Sequence, residues 1–271
     1  MSIKKINVVI LFGGKSAEHE VSLQSAKNIL EALDKNKYNP ILISISKSGQ
    51  WFLSDQFNFL LNANDSKLIK LNEDGDVLTL VPQNSGKILN LSQANKEIAI
   101  DVVFPILHGP FGEDGTVQGL LKLLNIPFVG SSVLGSAVGM DKDVMKRLLR
   151  DAGIPIGKFI VLKSKEIIPN YEQIKNQLGI PFFIKPANMG SSIGVSKINN
   201  ESEYLSGVKN AFAYDLKIII EEYIKGREVE CSVLGNYNPV ASIVGEVASN
   251  HDFYSYEAKY IDEKGANLEI P

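Results

Sequence analysis

Apolar residues fall along this chain in two kinds of run. Ile6 to Phe12 is almost continuously apolar and ends in Gly13-Gly14, the pattern of a strand buried on both faces of a parallel sheet. From Ser16 the period becomes helical: Leu23, Ala26, Ile29, Leu30 and Leu33 form one stripe, Ser16 is placed to cap it, and Glu18 and Glu20 fall in its positive first turn. Pro40 to Ile45 returns to strand and completes a βαβ unit. Lys47 to Lys96 is less patterned; Trp51-Phe52-Leu53 and the turn at Asn72 to Gly75 predict a small antiparallel insertion over about 47–97. Ile98 to Leu107 predicts one more buried strand, with Pro105 marking a bulge or an unpaired edge. Val117, Leu120, Leu121 and Leu124 then mark a helix, and Ile126 to Gly130 closes the first domain.

The second half has a different rhythm. A helix over Val144 to Arg150 stops at Gly153 and Pro155, and short strands then alternate with helices near Tyr171 to Leu178 and Ser202 to Tyr214. That mixture predicts an α+β domain with antiparallel strands, with its boundary between Gly130 and Met140. Arg227 to Leu234 and Pro239 to Glu246 predict two strands of a further sheet. Their apolar face, Val229, Cys231, Val233, Val240, Ile243 and Val247, lacks visible cover. Ser249 to Asp262, with Tyr254, Tyr256 and Tyr260 around Lys259, is aromatic-rich for a polar loop and reads as a lid.

Composition narrows the classes. A formal net charge of −3 over 271 residues argues against a nucleic-acid or membrane-surface protein, so any phosphate site must be local. The single cysteine, Cys231, excludes a disulfide within the chain, suits a reducing compartment, and reads as buried filler in a strand-like run. No apolar run reaches the roughly 18 to 20 residues of a spanning helix, and the N-terminus lacks a signal-peptide pattern. The expectation is a soluble, cytoplasmic protein.

The candidate chemistry centres on Lys185-Pro186-Ala187-Asn188-Met189-Gly190-Ser191-Ser192-Ile193-Gly194, between Phe182-Phe183-Ile184 and Val195 to Ile198. Strand, flexible loop and strand follow one another here. Glycine and serine let backbone N–H groups approach an anion closely, which suits a triphosphate, and Lys185 stands where its ammonium needs a negative partner. A hairpin with a solvated lysine at its mouth reads the same residues without chemistry. Glu221 to Glu228, between apolar strands, resembles a hinge that could seat a flat base, with Glu228 free for ribose hydroxyls; a charged turn is the bland alternative. The Gly13-Gly14 turn lacks the third glycine of a dinucleotide site, and its acidic residues would favour a cation such as an amino group, although helix capping alone accounts for them and is by itself the stronger reading. A lone histidine at a turn is usually just a satisfied polar residue, but His108 falls at the carboxyl end of its strand, as Glu18 does, where ligands collect in open α/β sheets.

Five segments in register resemble the D-alanine:D-alanine ligases of the ATP-grasp superfamily: Gly13 to Ser22, Leu107-His108-Gly109 with Gly112 to Gly115, Met140-Asp141-Lys142, Lys185-Pro186 with Gly190-Ser191-Ser192, and Tyr254 to Tyr260. The resemblance implies a Rossmann-like domain over 1–130, a first ATP-grasp subdomain over 131–221 and the start of a second, with the lid, over 222–271. It implies ATP-dependent joining of two D-alanines through an acyl phosphate, for peptidoglycan precursors, with Mg2+ or Mn2+, in a homodimer. On this resemblance Lys142 and Lys185 meet the phosphates, and Ser192 lies in the loop that covers them. Glu221, Tyr223, Ile224 and Glu228 hold adenine and ribose, and Lys259 reaches in from the lid. Glu18 anchors the ammonium of the first D-alanine, and His108 lies near its carboxylate. Glu18, Ser191 and Tyr260 form the hydrogen-bonded latch of the lid.

In the family the chain continues past Pro271, and the resemblance puts the arginine near the transferring phosphate and the metal ligands in that segment. It therefore implies no metal ligand within 1–271, and a polypeptide ending at Pro271 is expected not to turn over. Three other readings remain beside the leading one: a binding fragment without turnover, a related ATP-grasp ligase with a different second substrate, and a nicotinamide-dependent oxidoreductase, which the acidic turn weakens.

Overall fold

In the computed structural model, which describes residues 4–65, 67–80, 87–93, 96–249 and 265–270, the first strand is β1 (Ile6–Gly13). Val9 and Leu11 enter one core while Ile10 and Phe12 enter another, which is why the run is apolar throughout. Burying such side chains fully contributes roughly 1.5–3 kcal/mol each. Helix α1 (His19–Ala32) covers one face with Leu23, Ala26 and Leu30, and β2 (Tyr38–Ile45) runs parallel to β1. Ser16 is not the helix cap. Glu18 holds that position, and the Ser16 hydroxyl instead accepts the Glu18 N–H at 3.1 Å, tightening the turn before the helix.

Beyond β2 the chain adds β3 (Trp51–Ser54), a small ladder of β4 (Leu60–Leu61) with β5 (Lys70–Leu71), then β6 (Asp76–Leu80), β7 (Lys87–Asn90), β8 (Lys96–Ala99) and β9 (Val102–Ile106). The seven-stranded order is β8-β7-β6-β3-β2-β1-β9. The insertion is antiparallel as expected, but most of it extends the main sheet. The expected single strand from Ile98 to Leu107 is two strands at opposite edges of that sheet. The break comes at Asp101, whose carboxylate accepts the Asn7 N–H at 2.7 Å and whose own N–H donates to the Asn7 carbonyl at 3.1 Å. Pro105 lies on the outermost strand, in line with Val103, which sends its N–H outward to the Pro127 carbonyl at 2.8 Å. A proline there removes no bond to β1. Helices α2 (Thr116–Leu123) and α3 (Val133–Met140) follow; Ser132 caps the latter, accepting the Gly135 N–H at 3.3 Å.

The chain divides into two compact units, Met1–Asp141 and Lys142–Pro271. The second begins with α4 (Lys142–Asp151), β10 (Phe159–Lys163) and α5 (Tyr171–Leu178), which opens on a capping box between Asn170 and Gln173. Then come β11 (Phe182–Pro186), β12 (Ser196–Ile198), α6 (Glu201–Phe212) and β13 (Lys217–Glu222). The strands form an antiparallel sheet, β10-β13-β11-β12, over a core that includes Ile174, Phe182, Ile184, Tyr204, Ile218 and Ile220.

After this sheet, β14 (Glu228–Glu230), β15 (Val233–Leu234), β16 (Val240–Ala241), β17 (Gly245–Ser249) and β18 (Ala266–Glu269) make a ladder β14-β17-β18 and a pair β15-β16. Of the apolar face expected here, Val229, Val233, Val240 and Ile243 are exposed, while Val247 is buried. Cys231 is exposed, not buried filler. It falls between β14 and β15, where the chain passes from one ladder to the other, and its thiol faces the Ser242 carbonyl at 3.4 Å. Among the described residues no helix is long and apolar enough to cross a membrane.

Candidate active site

The N-terminal unit gathers polar groups at the carboxyl ends of β1 and β9. Glu18 and His19 are buried there despite their polarity. The ring Nδ1 of His19 lies 2.7 Å from the Gly14 carbonyl, so that nitrogen carries the proton. Ser22, one turn along α1, accepts the Gly13 N–H at 2.7 Å and donates to the Ile106 carbonyl, tying the two strand ends together. Gly13 has φ +89°, and a side chain there would meet the Ile45 carbonyl, so only glycine fits the turn.

His108 is fixed from two sides. Its carbonyl accepts the Ser16 hydroxyl at 2.7 Å, and its Nε2 lies 3.1 Å from the Ser25 hydroxyl. The loop after it is held by its own side chains: Glu113 accepts the Gly109 N–H at 3.0 Å, Asp114 accepts from Phe111 and Thr116 at 2.9 Å each, and Gln118 donates to the Gly112 carbonyl at 2.8 Å. Burial, helped by the nearby charge of Glu18, pushes the Glu113 carboxyl above its ordinary value. Burial works the same way on Asp114, but the Phe111 and Thr116 N–H groups outweigh it and hold that carboxyl below its usual range. Glu18 and His108 thus share one corner of this unit, beside a cavity of about 370 Å3 lined by Gly14, Ser16, Leu107 and His108 among others.

In the C-terminal unit a cavity of about 350 Å3 is lined by Lys142, Lys185, Ser191, Ser192 and Glu228, together with Phe183 and Met189. The Lys142 ammonium donates to the Met189 carbonyl at 2.5 Å and to the Ala187 carbonyl at 3.3 Å, so it is anchored to the root of the glycine-serine loop. Ser191 and Ser192 both adopt left-handed backbone, with φ 48° and 59°. Asp215 holds the start of the loop, accepting the Asn188 N–H at 2.8 Å and its side-chain amide at 2.9 Å.

Lys185 does meet a negative partner: it pairs with Glu221 on the neighbouring strand. Glu221 also pairs with Lys146 of α4 at 2.7 Å. Burial tends to raise the Glu221 carboxyl, but the two ammoniums outweigh it and hold it below its ordinary value. Tyr223 and Ile224 are exposed beyond β13, Tyr223 tilted against Phe183 at 6.1 Å with the Lys197 ammonium 5.6 Å from its ring centre. Of the expected lid, Ser249 ends β17, and residues 250–262, Lys259 and Tyr260 among them, lie outside the described residues.

Two family models match this arrangement of segments, one described as D-ala D-ala ligase N-terminus over residues 7–131 and one as D-ala D-ala ligase C-terminus over residues 148–271. The D-alanine--D-alanine ligase of Oceanobacillus iheyensis is 53% identical over 98% of this chain and 74% of its own length. The chain belongs to the D-alanine–D-alanine ligase family. The D-alanine--D-alanine ligase A of Escherichia coli strain K12 is 51% identical over 99% of this chain and 74% of its own length. The D-alanine-D-alanine ligase structure from Coxiella burnetii superposes with a TM-score of 0.79 at 38% identity, covering 89% of this chain and 71% of that one. The VanG D-Ala:D-Ser ligase of Enterococcus faecalis also reaches 0.79, at 34% identity, covering 98% and 76%. The fold is therefore the ATP-grasp fold of these ligases, and backbone likeness alone does not separate second substrates.

From the sequence no individual role attaches to Ser22, Ser25, Glu113, Lys146 or Asp215, although Ser22 and Glu113 fall within the segments that carry the family resemblance. Ser22 and Ser25 follow Glu18 at helical spacing on the face of α1 that carries Leu23 and Ala26; polar residues beside a buried stripe were the available signal. Lys146 had a weaker one, one turn after Lys142 on the same helix.

Proposed function

We propose that the protein joins two D-alanines to D-alanyl-D-alanine at the cost of ATP, for peptidoglycan precursor synthesis. The observation that carries this reading is the 53% identity to a D-alanine--D-alanine ligase across 98% of the chain. The cavity gathering Lys142, Lys185, Ser191, Ser192 and Glu228 supports it.

Lys142 and Lys185 hold the phosphates of ATP, with the loop around Ser192 closing over them. Glu221, Tyr223, Ile224 and Glu228 seat adenine and ribose, and Lys259 adds a contact from the lid. Glu18 binds the ammonium of the first D-alanine, and His108 lies near its carboxylate. Ser191 and Tyr260 complete the latch with Glu18. The domains are 1–130, 131–221 and 222–271, as the resemblance implies, in a cytoplasmic homodimer.

The chemistry follows from what resists reaction. A carboxylate is anionic and has a poor leaving group, so an amine does not displace oxygen from it. The carboxylate oxygen of the first D-alanine attacks the γ-phosphorus, the bond to the bridging oxygen breaks, and ADP leaves with an acyl phosphate formed. The amine of the second D-alanine, having lost a proton, attacks the acyl carbon, and inorganic phosphate departs. Fixed ammoniums and loop N–H groups stabilise charge on the transferring oxygens, and a closed lid keeps water from the acyl phosphate.

The family uses a divalent metal, here Mg2+ or Mn2+, to neutralise phosphate charge. Among the described residues no group of three or more His, Cys, Asp or Glu side chains is placed to hold such an ion. The test is ADP release by the protein expressed from its gene, with ATP, metal and D-alanine, and the product identified by mass. D-Alanine-dependent release with dipeptide formed is expected, and comparable kcat/KM with D-lactate as second substrate would contradict the choice of D-alanine. NADH binding without ATP binding would point to the oxidoreductase reading instead.

A further inference from the structure

Glu221 carries two ammoniums, one on each carboxylate oxygen. Lys146 reaches Oε1 from α4 at 2.7 Å, and Lys185 reaches Oε2 from β11. All three side chains are largely withdrawn from water, at 12% exposure for Lys146, 13% for Glu221 and 25% for Lys185. A carboxylate so placed stays ionised only while a cation faces it. The two cations differ in their surroundings. Lys185 lines the cavity with Lys142 and the serine loop, whereas the described lining does not include Lys146. The Lys146 ammonium instead lies 5.4 Å from the ring centre of Phe159, the residue that pairs with Glu221 across β10 and β13. Lys146 is thus held by the sheet, and Lys185 faces the space where a ligand would enter.

We propose that Lys146 is a positioning residue for nucleotide binding: it keeps Glu221 ionised and in place when Lys185 turns from that carboxylate to the phosphates. The inference rests on the reading that this cavity binds ATP. In the free protein Glu221 serves as the internal anion for Lys185, which keeps the ammonium at the mouth of the loop before any phosphate arrives. On binding, Lys185 exchanges one anion for another, and Lys146 remains with Glu221. Among the described residues the charged groups that pair with Glu221 are these two lysines, from α4 and β11, while β10 presents Phe159. Without Lys146, the exchange would leave the buried Glu221 carboxylate with no cation beside it, and it would take up a proton.

The experiment is calorimetric titration of ADP into the full chain, in two buffers of different ionisation enthalpy, from pH 6 to pH 9. It compares wild type with Lys146→Arg, Lys146→Met and Lys146→Met combined with Glu221→Gln. Relative to wild type, Lys146→Met should take up a proton on binding, and its Kd should weaken as pH rises, by up to about tenfold per pH unit where uptake is complete. Lys146→Arg should behave as wild type, and the double variant should show no extra uptake. If Lys146→Met does not fold, Lys146→Gln carries the same expectation, since it also removes the charge. Wild-type affinity and no extra proton uptake in the folded Met or Gln variant would overturn the proposal while leaving ATP binding intact. Failure of wild type to bind ADP would instead overturn the nucleotide reading, and this inference with it.

Discussion

The Glu18 carboxylate lies against the α-carbon of Gly109, so that a side-chain carbon at 109 would collide with Oε2. Gly109 also has φ +71°, which side chains other than glycine adopt at a cost of about 1–3 kcal/mol. Gly109→Ala should therefore displace the group proposed to hold the substrate ammonium. The expected result is a KM for D-alanine raised about tenfold, equivalent to about 1.4 kcal/mol, with the KM for ATP unchanged. Steady-state kinetics with each substrate varied in turn checks the split.

Glu113 and Glu221 should shift stability with pH in opposite senses. The Glu113 carboxyl titrates above its ordinary value of 4.5 in the folded protein, so its contribution is complete below that pH and is lost as pH rises through the folded value. Glu221 titrates below 4.5, so its contribution is present above that pH and is lost as pH falls through the folded value. Thermal unfolding of Glu113→Gln and Glu221→Gln against wild type, from pH 3 to pH 7, measures both. Wild type should lose ground to Glu113→Gln as pH rises and gain on Glu221→Gln.

The parts of the fold legible in sequence were those with one dominant period. β1 and α1 each bury a pattern that local spacing alone displays, and Tyr171 to Leu178 is bounded by its own capping residues. The parts that were not legible depend on distant partners. Ile98 and Val103 belong to strands at opposite edges of one sheet, and the Asp101 bonds to Asn7 that divide them join residues far apart in sequence. The site divides in the same way. Lys185 was visible because its loop is unusual in composition, whereas Lys146 acquires its meaning only when β13 brings Glu221 to it.

Asp215 should matter to the loop more than its position before β13 suggests. Its carboxylate accepts the Asn188 N–H, the Asn188 amide and, at 3.1 Å, the Lys217 N–H. Asp215→Ala removes all three, a loss of roughly 1–3 kcal/mol for a part-buried carboxylate. The expected outcome is a lowered unfolding midpoint and a raised KM for ATP, with the KM for D-alanine unchanged.

Lys185→Ala and Tyr260→Phe should separate binding from turnover. Loss of Lys185 removes charge-assisted bonds to phosphate worth about 1.5–3 kcal/mol each and leaves Glu221 with Lys146 alone. Tyr260→Phe loses only a hydroxyl from the proposed latch. ATP affinity should collapse in the first variant and persist in the second, whose kcat should fall. Equal losses of affinity in both would reverse the assigned roles.

The acyl phosphate can be followed by its oxygen. When D-alanine labelled with 18O in its carboxylate is ligated, attack on the γ-phosphorus carries one labelled oxygen into the inorganic phosphate that later departs. Mass analysis of that phosphate should show one 18O per dipeptide formed. Unlabelled phosphate, or label appearing in AMP, would contradict an acyl phosphate formed at the site of Lys142, Lys185 and the serine loop.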